Sequence, residues 1–354
     1  MPGVSGREIA AAFGKFAANS WGVAVAVSKG IYLLNDGGLK LDVSMIEDRA
    51  LGQVFLRAAE PGNAPAQNLT LEMRARYDDQ SYILTALAMG SPAAVAVATS
   101  TAVGVGWTHV IDMAPSVDGL GITFAMDKKL FVEELTSAKV TGFELEQAEN
   151  GAMVERVKLL GTKVTNISST NINSTVWSST FPALVNRILQ PHGVFRMNLN
   201  SAGALASTDA VPAEAIKLTF DRPQDAPFIY GQDYIAEPAD HQYTDIRIAV
   251  TYPRMTTITA NSLHGALKNG TGMKADWTFL GAYINSTDRY TRLYQWPLLQ
   301  LAGEGSFVLA ATDANQVKPT ATFVARMATT SPTGMAIVNP MRITRVQVNS
   351  AAPW

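Results

Sequence analysis

The sequence contains no cysteine among its 354 residues. Disulfide bonds are therefore impossible, and metal or redox sites that depend on thiolates are excluded. The N-terminal stretch MPGVSGREIAAAFGKFAANSWG has charges and glycines at intervals and lacks the apolar core of a signal peptide. The most apolar run, residues 92–105, is too short and too weakly hydrophobic to span a bilayer. We expect a soluble protein that is made and used without secretion.

Charged residues are also few, at 16% of the chain, and their signs nearly cancel. Lys and Arg number 28 against 30 Asp and Glu, which gives a net charge of −2. A chain with this balance does not bind nucleic-acid phosphates through bulk charge. With 47% hydrophobic residues, the low charge is typical either of a surface covered by neighbouring subunits or of an ordinary alanine-rich domain.

Motifs that carry catalysis or metal binding are missing from the sequence. There is no nucleophile elbow, P-loop or dinucleotide-binding glycine pattern. Four isolated histidines form no metal-binding pair, so structural roles are expected for His109, His192, His241 and His264. The tryptophans are scattered and form no stripe with basic residues, which makes packing their expected role.

Two pairs of adjacent carboxylates have structural interpretations. Asp78 and Asp79 precede a predicted helix and fit helix capping. Glu133 and Glu134 fall in a predicted strand, where neighbouring side chains face opposite sides and cannot cooperate in catalysis. We therefore predict no catalytic, cofactor-binding or metal-binding residue, no cofactor, and a protein that is not an enzyme.

The chain is organised around an alternating strand that leads directly into a short helix. Residues 68–77, NLTLEMRARY, place an apolar side chain at every second position, which is the period of a half-buried strand. Residues 78–90, DDQSYILTALAMG, follow as a helix that presents Ile83, Leu84 and Leu87 on one face and ends at Gly90. Residues 244–270 repeat this succession and close at Asn269-Gly270. One strand–helix unit is thus predicted to occur twice.

Turn signals divide the rest of the chain. Asn150-Gly151 predicts a hairpin, and the broken alternation of residues 154–160 indicates a bulge beside it. Residues 166–180 are rich in Ser, Thr and Asn and precede a predicted helix, FPALVNRILQ. We predict an N-terminal arm over residues 1–20, a first domain over 21–166, a linker over 167–190 and a second domain over 191–354.

The order of elements in residues 20–166 resembles the major tail tube protein family of long, non-contractile-tailed bacteriophages. The similarity rests on three stretches: the strand–helix unit NLTLEMRARYDDQSYILTALAMGSP, the long strand region GITFAMDKKLFVEELTSAKVTGFELEQAENG, and the closing strand MVERVKLLGTKV. The second half is similar in element order. The resemblance implies a mainly β fold of two tandem β-sandwich or partly closed barrel domains, each flanked by one short α-helix.

The resemblance also implies a structural function in the virion. Many members of the family have one such domain and form rings of six, so a duplicated chain implies rings of three with pseudo-sixfold symmetry. The rings stack into a hollow tube through which phage DNA passes. The implied partners are the chain itself, the tape measure protein and DNA in the lumen without specific binding, and the tail terminator and distal tail proteins. No membrane partner is implied, and assembly takes place in the bacterial host cytoplasm.

Two segments depart from the family pattern, residues 91–118 and residues 201–245. The first is predicted as an extended insertion with strand character, and the second as a decoration of the outer surface or a contact to the next ring. Other interpretations are a capsid or baseplate-hub protein, or a carbohydrate-binding β-sandwich. A capsid protein would carry a long helix and a charged arm, and a glycan-binding protein would cluster aromatics or carboxylates on one face.

Overall fold

The structure, a computed structural model, describes residues 9–16, 20–35, 38–39, 45–46, 59–62, 66–90, 96–98, 106–147, 151–253, 269–302, 307–312 and 316–348. The strands in chain order are β1 (Ala10–Phe16), β2 (Lys29–Ile31), β3 (Met45–Ile46), β4 (Glu60–Pro61), β5 (Gln67–Arg74), β6 (Ala96–Ala98), β7 (Trp107–Asp112), β8 (Gly121–Asp127), β9 (Val132–Gln147), β10 (Val154–Gly161), β11 (Val164–Thr165), β12 (Gly193–Leu199), β13 (Ala215–Asp221), β14 (Gln224–Asp225), β15 (Ala239–Asp240), β16 (Asp245–Thr251), β17 (Met273–Tyr283), β18 (Arg289–Leu301), β19 (Phe307–Thr312), β20 (Gln316–Ala325) and β21 (Arg342–Gln347). The helices are α1 (Ser81–Met89), α2 (Asn173–Trp177), and single 3₁₀ turns at Gln190–His192 and Ser207–Asp209. The predicted mainly β class is confirmed, and the sheets resemble a sandwich that is not closed into a barrel.

Antiparallel strands form two layers that we call the front and back sheets. The front sheet has the order β5-β10-β9-β13-β16-β20. The back sheet has the order β6-β7-β21-β18-β17-β12. The two sheets join where β18 pairs with the end of β20, and β8, β1 and β2 extend from the first half of β9. Apolar side chains from both layers form one core cluster.

The predicted strand–helix unit is confirmed at residues 67–90. In β5 buried and outward-facing residues alternate along the strand, and all nine residues of α1 are buried. Asp79 Oδ1 accepts the N–H of Ser81, the first residue of the helix, at 3.2 Å. Gly90 ends the helix with a left-handed φ of 72°, and its N–H donates to the carbonyls of Ala86 and Leu87. The helix is therefore a core element and is enclosed on every side.

The predicted repeat of this unit is described only in part. Its strand is β16, which alternates as expected, and Gly270 closes it with a φ of 60°. Residues 254–268, which carry the predicted second helix, lie outside the described residues. Strands β9 and β10 pair antiparallel on either side of the predicted hairpin, whose Asn150 lies outside the described residues. The predicted bulge is confirmed by a register shift between Lys158 and Leu159.

Strand pairing crosses the predicted domain boundary twice, so the division into two tandem domains is not confirmed. The C-terminal half of β9 pairs with β13, which places Leu145 opposite Leu218. Strand β7, in the predicted insertion at residues 91–118, pairs with β21 near the C-terminal end of the described chain. Each half thus completes a sheet of the other, and the hydrophobic core is continuous between them.

The structure differs from three local predictions. Within the expected N-terminal arm, β1 is a buried strand that pairs with both β2 and β8. Within the expected linker, Asn171 is fully buried, and its side chain bonds to the backbone of Val25 and Val27. The helix predicted at residues 181–190 does not form; a single helical turn, α2, forms earlier. Composition had suggested that the arm and the linker are solvated, but the arm contains a paired strand and the linker is anchored by a buried amide. No helix in the described part of the chain is long and apolar enough to cross a membrane.

Candidate functional site

The outer face of the front sheet carries polar and charged side chains on all six of its strands. Because side chains alternate along each strand, residues paired in register form rows on one face. One row runs Glu72, Arg156, Glu144, Thr219 and Arg247 across β5, β10, β9, β13 and β16. The next rows on either side continue the same face, and β20 adds Thr320, Thr322 and Val324. We call this surface the polar face.

Among the side chains that the structure describes, acids and bases on the polar face are equal in number. The acids are Glu72, Glu144, Glu146, Asp221 and Asp245. The bases are Arg74, Arg156, Lys158, Lys217 and Arg247. Five charges of each sign therefore alternate over the strands and sum to zero.

Arg156 is at the centre of the ion pairs on this face. Its Nη1 lies 2.6 Å from Glu146 and 3.3 Å from Glu144, and its Nε lies 3.6 Å from Glu72. The hydrogen bond to Glu146, more than the neighbouring charges of Glu72 and Glu144, raises the pKa of Arg156. Lys217 reaches Glu144 from the other side at 2.5 Å.

Two further pairs lie toward the edges of this charged patch. Lys158 Nζ lies 3.2 Å from Asp221, and Arg247 Nε lies 2.7 Å from Asp245. Exposed pairs of this kind contribute at most about 1 kcal/mol each. Their main physical consequence is electrostatic, because nine of these ten charges, all except Arg74, have an opposite charge within 4 Å.

Beneath the polar face, a buried ionic cluster connects the two sheets. Glu155 on β10 accepts hydrogen bonds from Arg292 on β18 at 3.1 Å and from Ser81 Oγ at 2.9 Å. Asp79 Oδ1 lies 3.3 Å from both Arg292 and Arg345, the latter on β21. Glu155, Arg292 and Arg345 are all fully buried. Two carboxylates and two guanidiniums thus neutralise each other between the start of α1, the front sheet and the back sheet.

The histidines are not brought together in a shared site. His109 is buried with its ring 5.1 Å from that of Tyr82, and His192 Nδ1 lies 3.2 Å from the hydroxyl of Tyr77. His241 is exposed, and His264 lies outside the described residues. Among the residues that the structure describes, no group of three or more His, Asp or Glu side chains is arranged to hold a metal ion.

The adjacent carboxylates have separate environments. Asp79 belongs to the buried ionic cluster, whereas Asp78 accepts a hydrogen bond from Asn186 and has its pKa raised by burial. Glu133 pairs with Lys128 at 2.5 Å, and Glu134 accepts hydrogen bonds from Ser168 and Asn171. None of the four therefore faces a second carboxylate across an open cleft.

Sequence reasoning missed both the polar face and the buried cluster, although each has a signal in the sequence. Charges spaced two apart, as in Glu144 and Glu146, mark one face of a strand. The segment RYTRLYQW places Arg292 in phase with the apolar Tyr290 and Tyr294, which marks it as inward-facing. No protein-family model matches this chain, and no curated protein matches it.

Proposed function

We propose that this chain is a structural virion protein, the major tail tube protein of a long-tailed phage. In this proposal copies assemble into rings, the rings stack into a tube, and the polar face lines the lumen. The chain acts on no substrate and uses no cofactor. The rings contain three chains with pseudo-sixfold symmetry if the two halves are equivalent, and six chains otherwise.

The observation that carries the proposal is the charge balance of the polar face. DNA carries about one negative charge per 1.7 Å of duplex length. A wall rich in bases would hold it through counterion release, and a wall of unpaired acids would resist its entry. A face on which Arg156, Lys217 and their carboxylate partners neutralise each other does neither. Such a surface permits rapid sliding of DNA past many stacked copies.

The fold supports the same proposal in a second way. The front sheet is broad, antiparallel and polar on one face, while its other face is sealed against the back sheet by apolar side chains. Antiparallel sheets tolerate water on one face in this manner. A tube wall needs such a sheet, since one side must be wet and the other must hold the subunit together.

The partners follow from the assembly. We propose that the chain contacts itself within and between rings, the tape measure protein and DNA inside the tube, and the tail terminator and distal tail proteins at its ends. The protein would be located in the phage tail after assembly in the bacterial host cytoplasm. The carbohydrate-binding alternative has no support from the polar face, because its described outward-facing residues are mainly charged residues and threonines and include no aromatic ring.

Electron microscopy of the purified, concentrated protein tests the assembly. Hollow rings or tubes are the expected result, and native mass measurement of one ring separates three chains from six. A protein that stays monomeric at high concentration, alone and with a tail initiator complex, would contradict the proposal.

Chemical labelling tests which face lines the lumen. Because the chain has no cysteine, Thr70→Cys on the polar face introduces one unique thiol. We expect a small maleimide to label this variant in assembled tubes, and a bulky polyethylene glycol maleimide to label only the unassembled protein. Equal labelling of tubes and free protein by the bulky reagent would place the polar face outside the lumen.

A further inference from the structure

The outer face of the back sheet is a second broad surface of the molecule. Strands β12, β17, β18, β21 and β7 lie side by side, and inward-facing residues such as Trp277 and Ile343 belong to the core. The residues between them face outward, because side chains alternate along each strand. We call the outward-facing side of these five strands the back face. It lies on the opposite side of the sandwich from the polar face.

Strand register arranges the back face in rows that run across the strands. The central row crosses β12, β17, β18, β21 and β7 through Val194, Thr278, Leu293, Thr344 and Val110. The row beside it crosses the last four of these strands through Leu280, Thr291, Val346 and Thr108. All of these side chains are uncharged, and each is half-buried or exposed. A contiguous uncharged surface of this kind marks an interaction site.

A third row, on the other side of the central one, carries charges that are already paired. It crosses the five strands through Arg196, Asp276, Gln295, Arg342 and Asp112. The Nε of Arg196 donates to Asp276 at 2.9 Å, and the Nε of Arg342 donates to Asp112 at 2.6 Å. A second N–H of each guanidinium binds the other oxygen of the same carboxylate. The row therefore has no net charge, and its charges alternate in sign across the strands.

The two complete rows are matched about their middle strand, β18. The central row reads Val-Thr-Leu-Thr-Val in either direction across the sheet. The charged row reads plus, minus, neutral, plus, minus, and its reverse has every sign inverted. A surface with this property is complementary to itself after a half-turn about an axis along β18. Two copies related by this rotation place Leu293 over Leu293, Thr278 over Thr344 and Asp276 over Arg342.

The ion pairs stay intact when two copies meet in this way. Each Arg–Asp pair is a dipole that lies across the strands, and the half-turn sets it antiparallel to the facing dipole. The Arg196–Asp276 pair then lies over the Asp112–Arg342 pair of the second copy, with each charge above its opposite. Such complementarity favours this register over shifted ones, in which like charges would meet.

The polar face is less suited to a contact between proteins. Its described residues include ten charges, whereas the three rows of the back face include four, all in bidentate pairs. Removing charges from water is costly, and the cost rises with their number. The back face therefore loses less hydration energy when another surface covers it.

The size of the back face fits a reversible dimer. Neighbouring strands are about 4.8 Å apart and outward residues about 6.8 Å apart along a strand, so five strands and three rows cover about 500 Å² on each copy. The face ends at Lys274, whose ammonium donates to the carbonyls of Ala202 and Thr333 in the loops that cover it. Two copies bury about 1,000 Å² together, at the lower limit of specific interfaces, and we expect a Kd on the order of 1–100 μM.

We propose that the back face is the interface of a twofold-symmetric dimer of this chain. The contact is isologous, because the same surface of both copies meets itself. Sheets packed face to face cross at about 30°, so the match is closest for the central strands β17, β18 and β21. The inference does not rest on the proposed tube. A twofold dimer has no distinct head and tail, whereas a stack of rings grows by heterologous contacts, so we assign the dimer to the protein before assembly.

Complementary charges at position 293 test the twofold register. Leu293 faces outward at the centre of the sheet, so Leu293→Lys and Leu293→Asp should keep the circular dichroism spectrum and Tm of the wild type. In the dimer each variant places two like charges on the axis. We expect its Kd, measured by sedimentation equilibrium, to rise at least about a hundredfold. An equimolar mixture should form a heterodimer at least as tight as the wild-type dimer, because lysine then faces aspartate.

Thr219→Lys is the matched control, since Thr219 lies at the centre of the polar face and is half-buried like Leu293. This control should dimerise as the wild type does. A wild type that is monomeric at about 100 μM would overturn the inference, and so would a Leu293→Lys variant with the wild-type Kd. A mixture of the two charged variants that stays monomeric would equally overturn it.

Cross-linking tests the same register without added charge. Because the chain has no cysteine, Leu293→Cys introduces a single thiol on the axis. A short bismaleimide should convert this variant to a covalent dimer and to nothing larger. Val194→Cys alone should not cross-link, since its two thiols are about 20 Å apart across the sheet, whereas a mixture with Val110→Cys should. Equal yields from Val194→Cys alone and from the mixture would contradict the twofold arrangement.

The outcomes separate this inference from the proposed function. Rings or tubes from a wild type that shows no cross-link at position 293 and no dimer in solution would contradict the dimer alone. A dimer with the expected register that never forms rings or tubes, even with a tail initiator complex, would contradict the tube alone.

Discussion

Removing one charge from the buried ionic cluster should strongly destabilise the protein. Glu155 is fully buried, and its two oxygens lie 3.1 Å from Arg292 and 3.9 Å from Arg345. Glu155→Gln retains the shape of the side chain and its hydrogen bond to Ser81. It leaves two buried guanidiniums with Asp79 as their remaining carboxylate partner.

The expected loss is about 3–5 kcal/mol in the free energy of unfolding, because breaking a buried ion pair leaves an uncompensated charge without water. An unfolding entropy of about 2.1 cal/mol/K per residue converts this loss to a decrease of about 4–7 °C in Tm for a chain of 354 residues. Equilibrium unfolding in urea, followed by circular dichroism at pH 7, measures the loss directly. A change below about 1 kcal/mol with an unchanged m value would refute the assignment of a buried charge cluster.

Two further variants make the test specific to charge. Glu146→Gln removes a carboxylate whose side chain is 41% exposed on the polar face, and it should change stability by at most about 1 kcal/mol. Combining Glu155→Gln with Arg345→Met leaves one buried acid, Asp79, paired with one buried base, Arg292. The double variant should therefore be more stable, by about 0.5–3 kcal/mol, than the sum of the two single changes predicts.

Two other predictions concern the start and the end of α1. Gly90→Ala should destabilise the protein by more than about 1–2 kcal/mol, the cost of a left-handed backbone for alanine, because its Cβ would also meet the carbonyl oxygen of Ser116 at 2.4 Å. A urea midpoint equal to that of the wild type would contradict this reading of the helix end. Asp78→Asn should stabilise the protein more at pH 7 than at pH 4. Burial raises the pKa of the Asp78 carboxyl in the folded state above its unfolded value, so the wild-type protein loses stability as the pH rises from the unfolded pKa through the folded pKa. The asparagine carries no charge and avoids this loss. Urea midpoints of both proteins at the two pH values check the sign, and a benefit that is larger at pH 4 would contradict it.

The sequence by itself determined the local elements. Alternation in residues 67–74 predicted a strand with one buried face, and the structure places Leu69, Leu71 and Met73 in the core. The helix end at Gly90 and the bulge between β9 and β10 were also predicted, because helix ends and bulges depend on a few adjacent residues. These features need no information about distant parts of the chain.

The tertiary structure alone decided which strands meet. Alternation tells which face of a strand is buried but not which strand pairs with it, so the contacts β9–β13 and β7–β21 could not be foreseen. The same limit applies to β1, whose small side chains resemble a solvated arm until two neighbouring strands enclose them.

The polar face and the buried ionic cluster also depend on which strands pair. The balance of charge on the polar face exists only because Arg156 and Lys217 lie beside the same carboxylate, although they are distant in the chain. The buried cluster exists because β10, β18 and β21 bring their charges together at the start of α1. Residue identity supplied the charges, and non-local pairing placed them where they neutralise each other.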